Sequence, residues 1–162
     1  MDAPDGWEGR LSELWASIDD CPETAFRAKM DELCAELPEG SGIAAFERAS
    51  AFDSTGHSDM AIPLYRKALE AGLEGSRRRQ ATIQLASSLR NLGQISESVA
   101  LLRAEQEAGS DELDDAVSAF LAFALADSGR DREAVSVALT ALAGHLPRYQ
   151  RSVANYAADL IE

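Results

Sequence analysis

Residues 85–93 read Leu-Ala-Ser-Ser-Leu-Arg-Asn-Leu-Gly, and a related pattern occurs at 48–56 and at 121–129. Each segment has alanine at its second position, a large apolar residue at its fifth and glycine at its ninth. The glycines are 37 and 36 residues apart, a period that is typical of solenoids built from helical pairs. Five residues after each glycine comes a small residue, namely Ala61, Ser98 and Ala134.

Each of the three repeats is predicted to consist of a helix A, a turn at the glycine and a helix B. Glycine suits this turn because a helix ends most easily on a residue that adopts a left-handed backbone conformation. After the turn we expect side-chain oxygens to cap helix B, at Ser58, Ser96 and Asp131. The chain is also rich in alanine, the best helix former. The sequence therefore predicts an all-α superhelix of about nine helices.

Two further segments flank the repeats. Residues 1–40 show two amphipathic stripes separated by a turn, which indicates a helical hairpin. The tail after residue 146 has one apolar stripe that we expect to cover the last repeat, made of Tyr149, Val153, Tyr156, Leu160 and Ile161. The predicted organisation is a hairpin at 1–40 and a repeat region at 41–162, with repeats at about 43–73, 77–110 and 112–146 and a capping helix at 147–162.

The three repeats resemble the tetratricopeptide repeat family, whose pattern places small and large residues at fixed positions of helices A and B. The chain looks like the small free-standing bacterial members of that family. The resemblance implies a right-handed solenoid that binds a peptide or a partner protein on its concave face. Relatives that hold a chaperone's C-terminal carboxylate use Lys and Asn on this face. The matching positions here are Phe46, Ser50 and Ile83, so we do not transfer that activity.

The formal net charge is −13, which argues against nucleic acid as the default partner. The charge is unevenly distributed. Residues 1–41 carry 11 acidic and 3 basic side chains, a net −8, and residues 104–162 carry 11 and 4, a net −7. Residues 66–103 carry 3 acidic and 7 basic side chains, a net +4. This basic segment is the charge feature that points to a function.

No pattern of catalytic or metal-binding residues is present in the sequence. His57 and His145 are far apart and lack the spacing of a zinc site, and no phosphate-binding loop or nucleophile elbow occurs. We expect no enzyme activity, no cofactor and no metal. Cys21 and Cys34 are too few for a disulfide framework, and the N-terminus has no secretory signal. We therefore expect reduced thiols, no membrane span and a cytoplasmic protein.

The candidate partner-binding surface lies on the A helices. A ridge at helical spacing in repeat 2 is flanked by two polar residues, and repeats 1 and 3 contribute equivalent positions. We expect a groove with apolar residues on its floor and arginines in its middle, suited to an extended or helical acidic segment. Its predicted residues are Phe46, Ser50, Arg79, Gln80, Ile83, Ser87, Arg90, Asn91 and Phe123.

Two alternative functions use the same basic segment. In the first, the protein forms a homodimer in which the acidic hairpin, with Trp7 and Trp15, packs on the arginine-bearing face of another copy. The competing interpretation is that the hairpin covers the first repeat of its own chain. In the second alternative, a regulator contacts a polyanion through the arginines at 77–79, which the overall negative charge disfavours.

Overall fold

The computed structural model describes residues 4–109 and 111–162, and within them the chain forms nine α-helices and no strand. The helices are α1 (Trp7–Ala16), α2 (Glu23–Cys34), α3 (Gly42–Ser54), α4 (Ser58–Glu70), α5 (Gly75–Asn91), α6 (Ile95–Ala108), α7 (Asp114–Asp127), α8 (Asp131–Ala143) and α9 (Gln150–Asp159), with a 3₁₀ turn at Ile18–Asp20. The prediction of an all-α chain of about nine helices is confirmed. Helices α3, α5 and α7 are the A helices of the three repeats, and α4, α6 and α8 are their B helices.

The three repeated glycines end the A helices, as predicted. Gly56, Gly93 and Gly129 have φ of 78°, 78° and 77°, in the left-handed region that favours glycine. The next amide reaches back to the helix at each turn, and in repeat 2 the Gln94 N–H donates to the Leu89 carbonyl at 2.9 Å. This is the Schellman arrangement, which satisfies carbonyl groups that the end of a helix would leave exposed.

The predicted caps of the B helices are wrong, because each turn is shorter than expected. The residue that closes the Schellman turn is also the N-cap of the following helix, so no residue lies between them. None of these N-caps makes a side-chain capping hydrogen bond, and they are His57, Gln94 and Arg130. The expected caps Ser58, Ser96 and Asp131 lie inside the first turn.

The chain divides into two compact parts, an N-terminal part up to Gln84 and a C-terminal part from Leu85. The division falls within α5. The N-terminal part contains the hairpin, repeat 1 and the first half of α5. The C-terminal part contains the second half of α5, helices α6 to α8 and the capping helix α9.

The core of the N-terminal part lies between the hairpin and helix α3. Trp7, Phe26 and Met30 are fully buried, and they share one cluster with Ala44 and Ala51 of α3. The indole N–H of Trp7 also donates to the Leu33 carbonyl at 2.9 Å, so its polar group is satisfied inside the core. Burial of side chains this large stabilises a fold by about 1.5–3 kcal/mol each.

Polar contacts also join the hairpin to repeat 1 of the same chain. Arg48 of α3 pairs with Asp31 of α2 at 2.9 Å, and Arg27 donates to the Thr55 hydroxyl at 2.7 Å. The Arg27 guanidinium also lies 5.7 Å from the centre of the Phe52 ring. The hairpin therefore packs on its own repeat, and the buried Trp7 is not available to a second copy.

In the C-terminal part, helices α7 and α8 form the last repeat and α9 packs against α8. Leu121 and Leu125 of α7 are fully buried. On α9 the buried residue is Ala157, and Val153 and Leu160 are half-buried. The predicted apolar stripe is therefore wrong for three of its members, because Tyr149, Tyr156 and Ile161 are 74%, 70% and 60% exposed.

Candidate functional site

Four of the predicted site residues are buried, and one of them is Ser50, which is 5% exposed. Phe46, Ile83 and Arg79 are each 4% exposed, and the Phe46 ring lies 6.3 Å from the ring of the fully buried Tyr65. The predicted ridge thus lies closer to the core than helical spacing alone indicates. These four side chains offer a partner almost no surface.

Phe46, Ser50 and Gln80 line a cleft of about 710 Å³ in the N-terminal part, where Ser50 is buried and Gln80 is half-buried. The cleft runs between helices α1, α3 and α5. Each helix contributes residues one turn apart, so the walls are formed by parallel rows of side chains. The lining residues are Glu8, Leu11, Ser12, Trp15, Phe46, Glu47, Ser50, Ser54, Ser76, Arg77, Gln80 and Gln84.

A hydrogen-bond network fixes the orientation of the Gln84 amide in this cleft. The Gln84 carbonyl oxygen accepts from the Tyr65 hydroxyl at 2.7 Å and from the Ser50 hydroxyl at 2.9 Å. One turn earlier, the Gln80 amide nitrogen donates to the Ser76 hydroxyl at 2.9 Å. In the described part of the chain, the side-chain nitrogen Nε2 of Gln84 and the side-chain oxygen Oε1 of Gln80 make no hydrogen bond. The cleft therefore presents one donor and one acceptor a helical turn apart.

An ion-pair network closes one wall of the cleft. Arg77 of α5 pairs with Glu47 of α3 at 3.2 Å and with Glu8 of α1 at 2.6 Å. Glu47 also accepts from the Trp15 indole at 3.0 Å. Burial raises the pKa of Glu47, and the hydrogen bond from Trp15 and the charge of Arg77 partly offset this. The charge of Arg77 is thus already compensated within the chain.

In the C-terminal part, the structure brings two predicted site residues together. The Arg90 guanidinium lies 5.4 Å from the centre of the Phe123 ring, and its Nε donates to Asp127 at 2.6 Å. The Phe120 ring meets the Phe123 ring edge-on at 6.4 Å. Despite these contacts Phe123 is 56% exposed. We refer to these four residues as the Phe123 patch.

The remaining predicted site residues, Ser87 and Asn91, lie near Arg90 in the sequence of α5. Ser87 is half-buried, and Asn91 is exposed and already contacts another group in the chain. Asp127 is one of the equivalent ridge positions of repeat 3, since it lies one helical turn after Phe123 and 36 residues after Asn91. Sequence reasoning missed Phe120 and Gln84.

The histidines and cysteines occupy separate local environments. His57 Nδ1 lies 2.6 Å from the Thr55 carbonyl, and His145 lies 2.7 Å from Asp115. Cys21 and Cys34 are unbridged, and burial raises the pKa of the Cys34 thiol to about 12. Among the described residues, no group of acidic, histidine or cysteine side chains is arranged to hold a metal ion. No helix in those residues has the length and apolarity needed to span a membrane.

The family model described as "Tetratrico peptide repeat" matches residues 42–160. The chain belongs to the tetratricopeptide repeat family. The match contains the three predicted repeats and extends through α9, so the resemblance drawn from the sequence is confirmed. Tetratricopeptide repeats are in general protein–protein interaction scaffolds and are typically not catalytic, and this chain has their fold.

A solved structure shows the same fold over nearly the whole chain. It is the crystal structure of a variant of a Podosopora anserina protein assigned as a kinesin light chain, described as having nearly identical TPR-like repeats. The two chains are 17% identical, with a TM-score of 0.73, and the alignment covers 99% of this tetratricopeptide repeat chain and 89% of the other. At this identity the likeness concerns the fold alone. No curated protein sequence matched the chain.

Proposed function

We propose that this chain is a non-catalytic scaffold that binds a partner protein, and that Phe123 is its main contact residue. The observation that carries the proposal is the exposure of Phe123, at 56%, on an A helix of the repeats. Aromatic side chains are enriched at the centres of protein interfaces, where removal of one costs about 2 kcal/mol or more.

The surroundings of Phe123 support a role in binding because they hold the ring in place before a partner arrives. Arg90 stacks on the ring and is itself held by Asp127, while Phe120 packs against an edge. A ring that is already ordered loses little conformational entropy on binding. The patch is thus suited to receive an apolar side chain of the partner.

The same contacts change the expected chemistry of the partner. Arg90 is paired with Asp127, Arg77 is paired with two carboxylates, and Arg79 is buried. None of these arginines offers an uncompensated charge, so the preference for an acidic segment loses its basis at this surface. A polyanion contacting the arginines at 77–79 loses support for the same reason. The partner we propose for the Phe123 patch is an apolar anchor residue within a protein segment.

The cleft of the N-terminal part adds a second contact region suited to an extended segment. The Gln80 carbonyl and Gln84 amide are one helical turn apart, a rise of about 6 Å. Alternate residues of an extended chain repeat every ~6.6 Å, so one backbone N–H and one C=O of such a segment match the two glutamines. Contacts of this kind bind backbone rather than a particular side chain.

Capture from a native extract tests the proposal. Immobilised full-length protein is compared with the Phe123→Ser variant and with Val135→Ser, a matched control that removes an apolar side chain 47% exposed on α8. We expect a protein retained by the wild type to be retained by Val135→Ser and lost with Phe123→Ser. Circular dichroism establishes that both variants are folded. Equal retention by Phe123→Ser would contradict the assignment of the patch.

A further inference from the structure

Helix α9 differs from the other helices in the groups it leaves uncovered. Tyr149 and Tyr156 are seven residues apart and are 74% and 70% exposed. Tyr149 has φ of 68° and is the one non-glycine residue with positive φ in the part of the chain that the structure describes. The Gln150 side chain braces this segment, because its amide donates to the Gly144 and Leu146 carbonyls at 3.2 and 2.9 Å.

Two arginines of the same segment, Arg148 just before α9 and Arg151 within it, have no partner among the described residues. Over the described ranges 4–109 and 111–162, Arg148 and Arg151 make no hydrogen bond, ion pair or ring contact, whereas each of the other arginines has a partner. Both side chains are exposed. In a chain of net charge −13, uncompensated arginines beside exposed tyrosines are unexpected on a helix that only covers the last repeat. Arginine and tyrosine are both enriched in protein interfaces.

The opposite charge is in excess on the N-terminal hairpin. Residues 1–41 carry a net −8. Several exposed carboxylates of the hairpin make no hydrogen bond or ion pair within the described residues, namely Glu13, Asp19, Asp20 and Glu32. The aromatic core of the hairpin is meanwhile engaged by its own repeat, so its outer surface is acidic and rigidly held.

We propose that the α9 surface, formed by Arg148, Tyr149, Arg151 and Tyr156, binds the acidic hairpin of a second copy of this chain. The charge complementarity lies between the two uncompensated arginines and the uncompensated carboxylates of the hairpin. The two exposed tyrosine rings supply apolar surface that is buried in the contact. This contact differs from a dimer on the basic segment 66–103, where the arginines Arg77, Arg90 and Arg103 are paired within the chain.

Sedimentation velocity on the full chain tests the proposal. We expect the wild type to associate between about 10 and 500 µM at low salt, and to dissociate at about 0.5 M salt, where exposed charges are screened. The double variant Arg148→Glu with Arg151→Glu should associate at least about tenfold more weakly. The matched control is Lys67→Glu, at an exposed lysine of α4 that likewise makes no hydrogen bond or ion pair with a described residue, and it should associate like the wild type.

An exchange of charges between the hairpin and the α9 surface tests whether the hairpin of a second copy is the group that binds α9. A hairpin variant carrying Glu13→Lys, Asp19→Lys and Asp20→Lys should, on its own, associate as weakly as the double arginine variant does. An equal mixture of the two should associate, because an acidic hairpin then meets a basic α9 and a basic hairpin meets an acidic α9. A wild type that stays monomeric throughout, an arginine variant that associates normally, or a mixture that stays monomeric would each overturn the proposal. The Phe123→Ser variant should associate normally, which separates this result from the proposed function.

Discussion

Glu47 and Arg77 form an ion pair of 3.2 Å between helices α3 and α5, in which the carboxylate is 4% exposed. A buried charge of this kind costs desolvation free energy that its partner offsets only in part. Trp15 donates a hydrogen bond to the same carboxylate, so the hairpin is linked to this pair. We therefore expect the stability of the N-terminal part to depend on pH through this ion pair.

We expect the Glu47→Gln substitution to cost less stability at about pH 7 than at about pH 4. Burial raises the pKa of Glu47 above its unfolded value, so its favourable contribution is complete below the unfolded pKa and is lost as pH rises through the folded pKa. The side-chain amide of the variant carries no charge at either pH, so it avoids this loss. Its oxygen can still accept the hydrogen bond from the Trp15 indole. Thermal unfolding of both proteins at the two pH values measures the difference. A cost that grows with pH would mean that the pair with Arg77 outweighs burial.

The Gly93→Val substitution should destabilise the protein by about 1–2 kcal/mol or more, because a β-branched residue at positive φ is strained. Gly93 has φ of 78°, and a Cβ there would meet no atom within 4 Å, so backbone strain alone is tested. The control is Gly144→Ala, at φ of −61° with only an ordinary contact at 3.8 Å. Urea unfolding should show that the control changes stability by no more than about 0.5 kcal/mol.

The Trp7→Phe substitution should destabilise the N-terminal part by about 1–3 kcal/mol, since it removes buried volume and the indole hydrogen bond to the Leu33 carbonyl. The control is Met60→Ala, because Met60 is 48% exposed. Denaturant unfolding followed by far-UV circular dichroism gives both values. Similar small effects for the two variants would mean that the hairpin core contributes little to the free energy of unfolding.

The two thiols should differ in reactivity. Cys34 is buried and its pKa is raised to about 12, so little thiolate forms near neutral pH. Cys21 is half-buried and should be alkylated first by iodoacetamide in the folded protein. Peptide mass spectrometry before and after unfolding in urea checks the order. Equal modification of both cysteines in the native state would contradict the packing of α2.

The repeat architecture was predictable because its determinants are local. Glycine at positive φ, alanine-rich helices and a fixed period are all visible along the sequence, and Gly56, Gly93 and Gly129 lie at the predicted turns. The errors are also local in origin. The caps at Ser58, Ser96 and Asp131 were misplaced because one residue serves both the Schellman turn and the next helix.

The candidate site was predictable only in part because exposure depends on how helices pack. Ser50 and Phe123 both lie six residues before the glycine of their repeat, yet the first is 5% and the second 56% exposed. Charge partners were equally hidden, since Arg77 pairs with Glu8, 69 residues away. A sequence reveals a cluster of arginines, whereas only the folded chain reveals which of them are already neutralised.

The position of both tryptophans within the hairpin has a practical consequence for spectroscopy. The chain has two tryptophans, Trp7 and Trp15, and both lie in α1. Intrinsic fluorescence excited near 295 nm therefore reports on the N-terminal part alone, whereas the far-ultraviolet dichroism averages over all helices. Trp7, sealed from water, should emit at short wavelength until the hairpin detaches. If the two signals lose amplitude at different denaturant concentrations, the halves of this repeat protein melt as separate cooperative blocks.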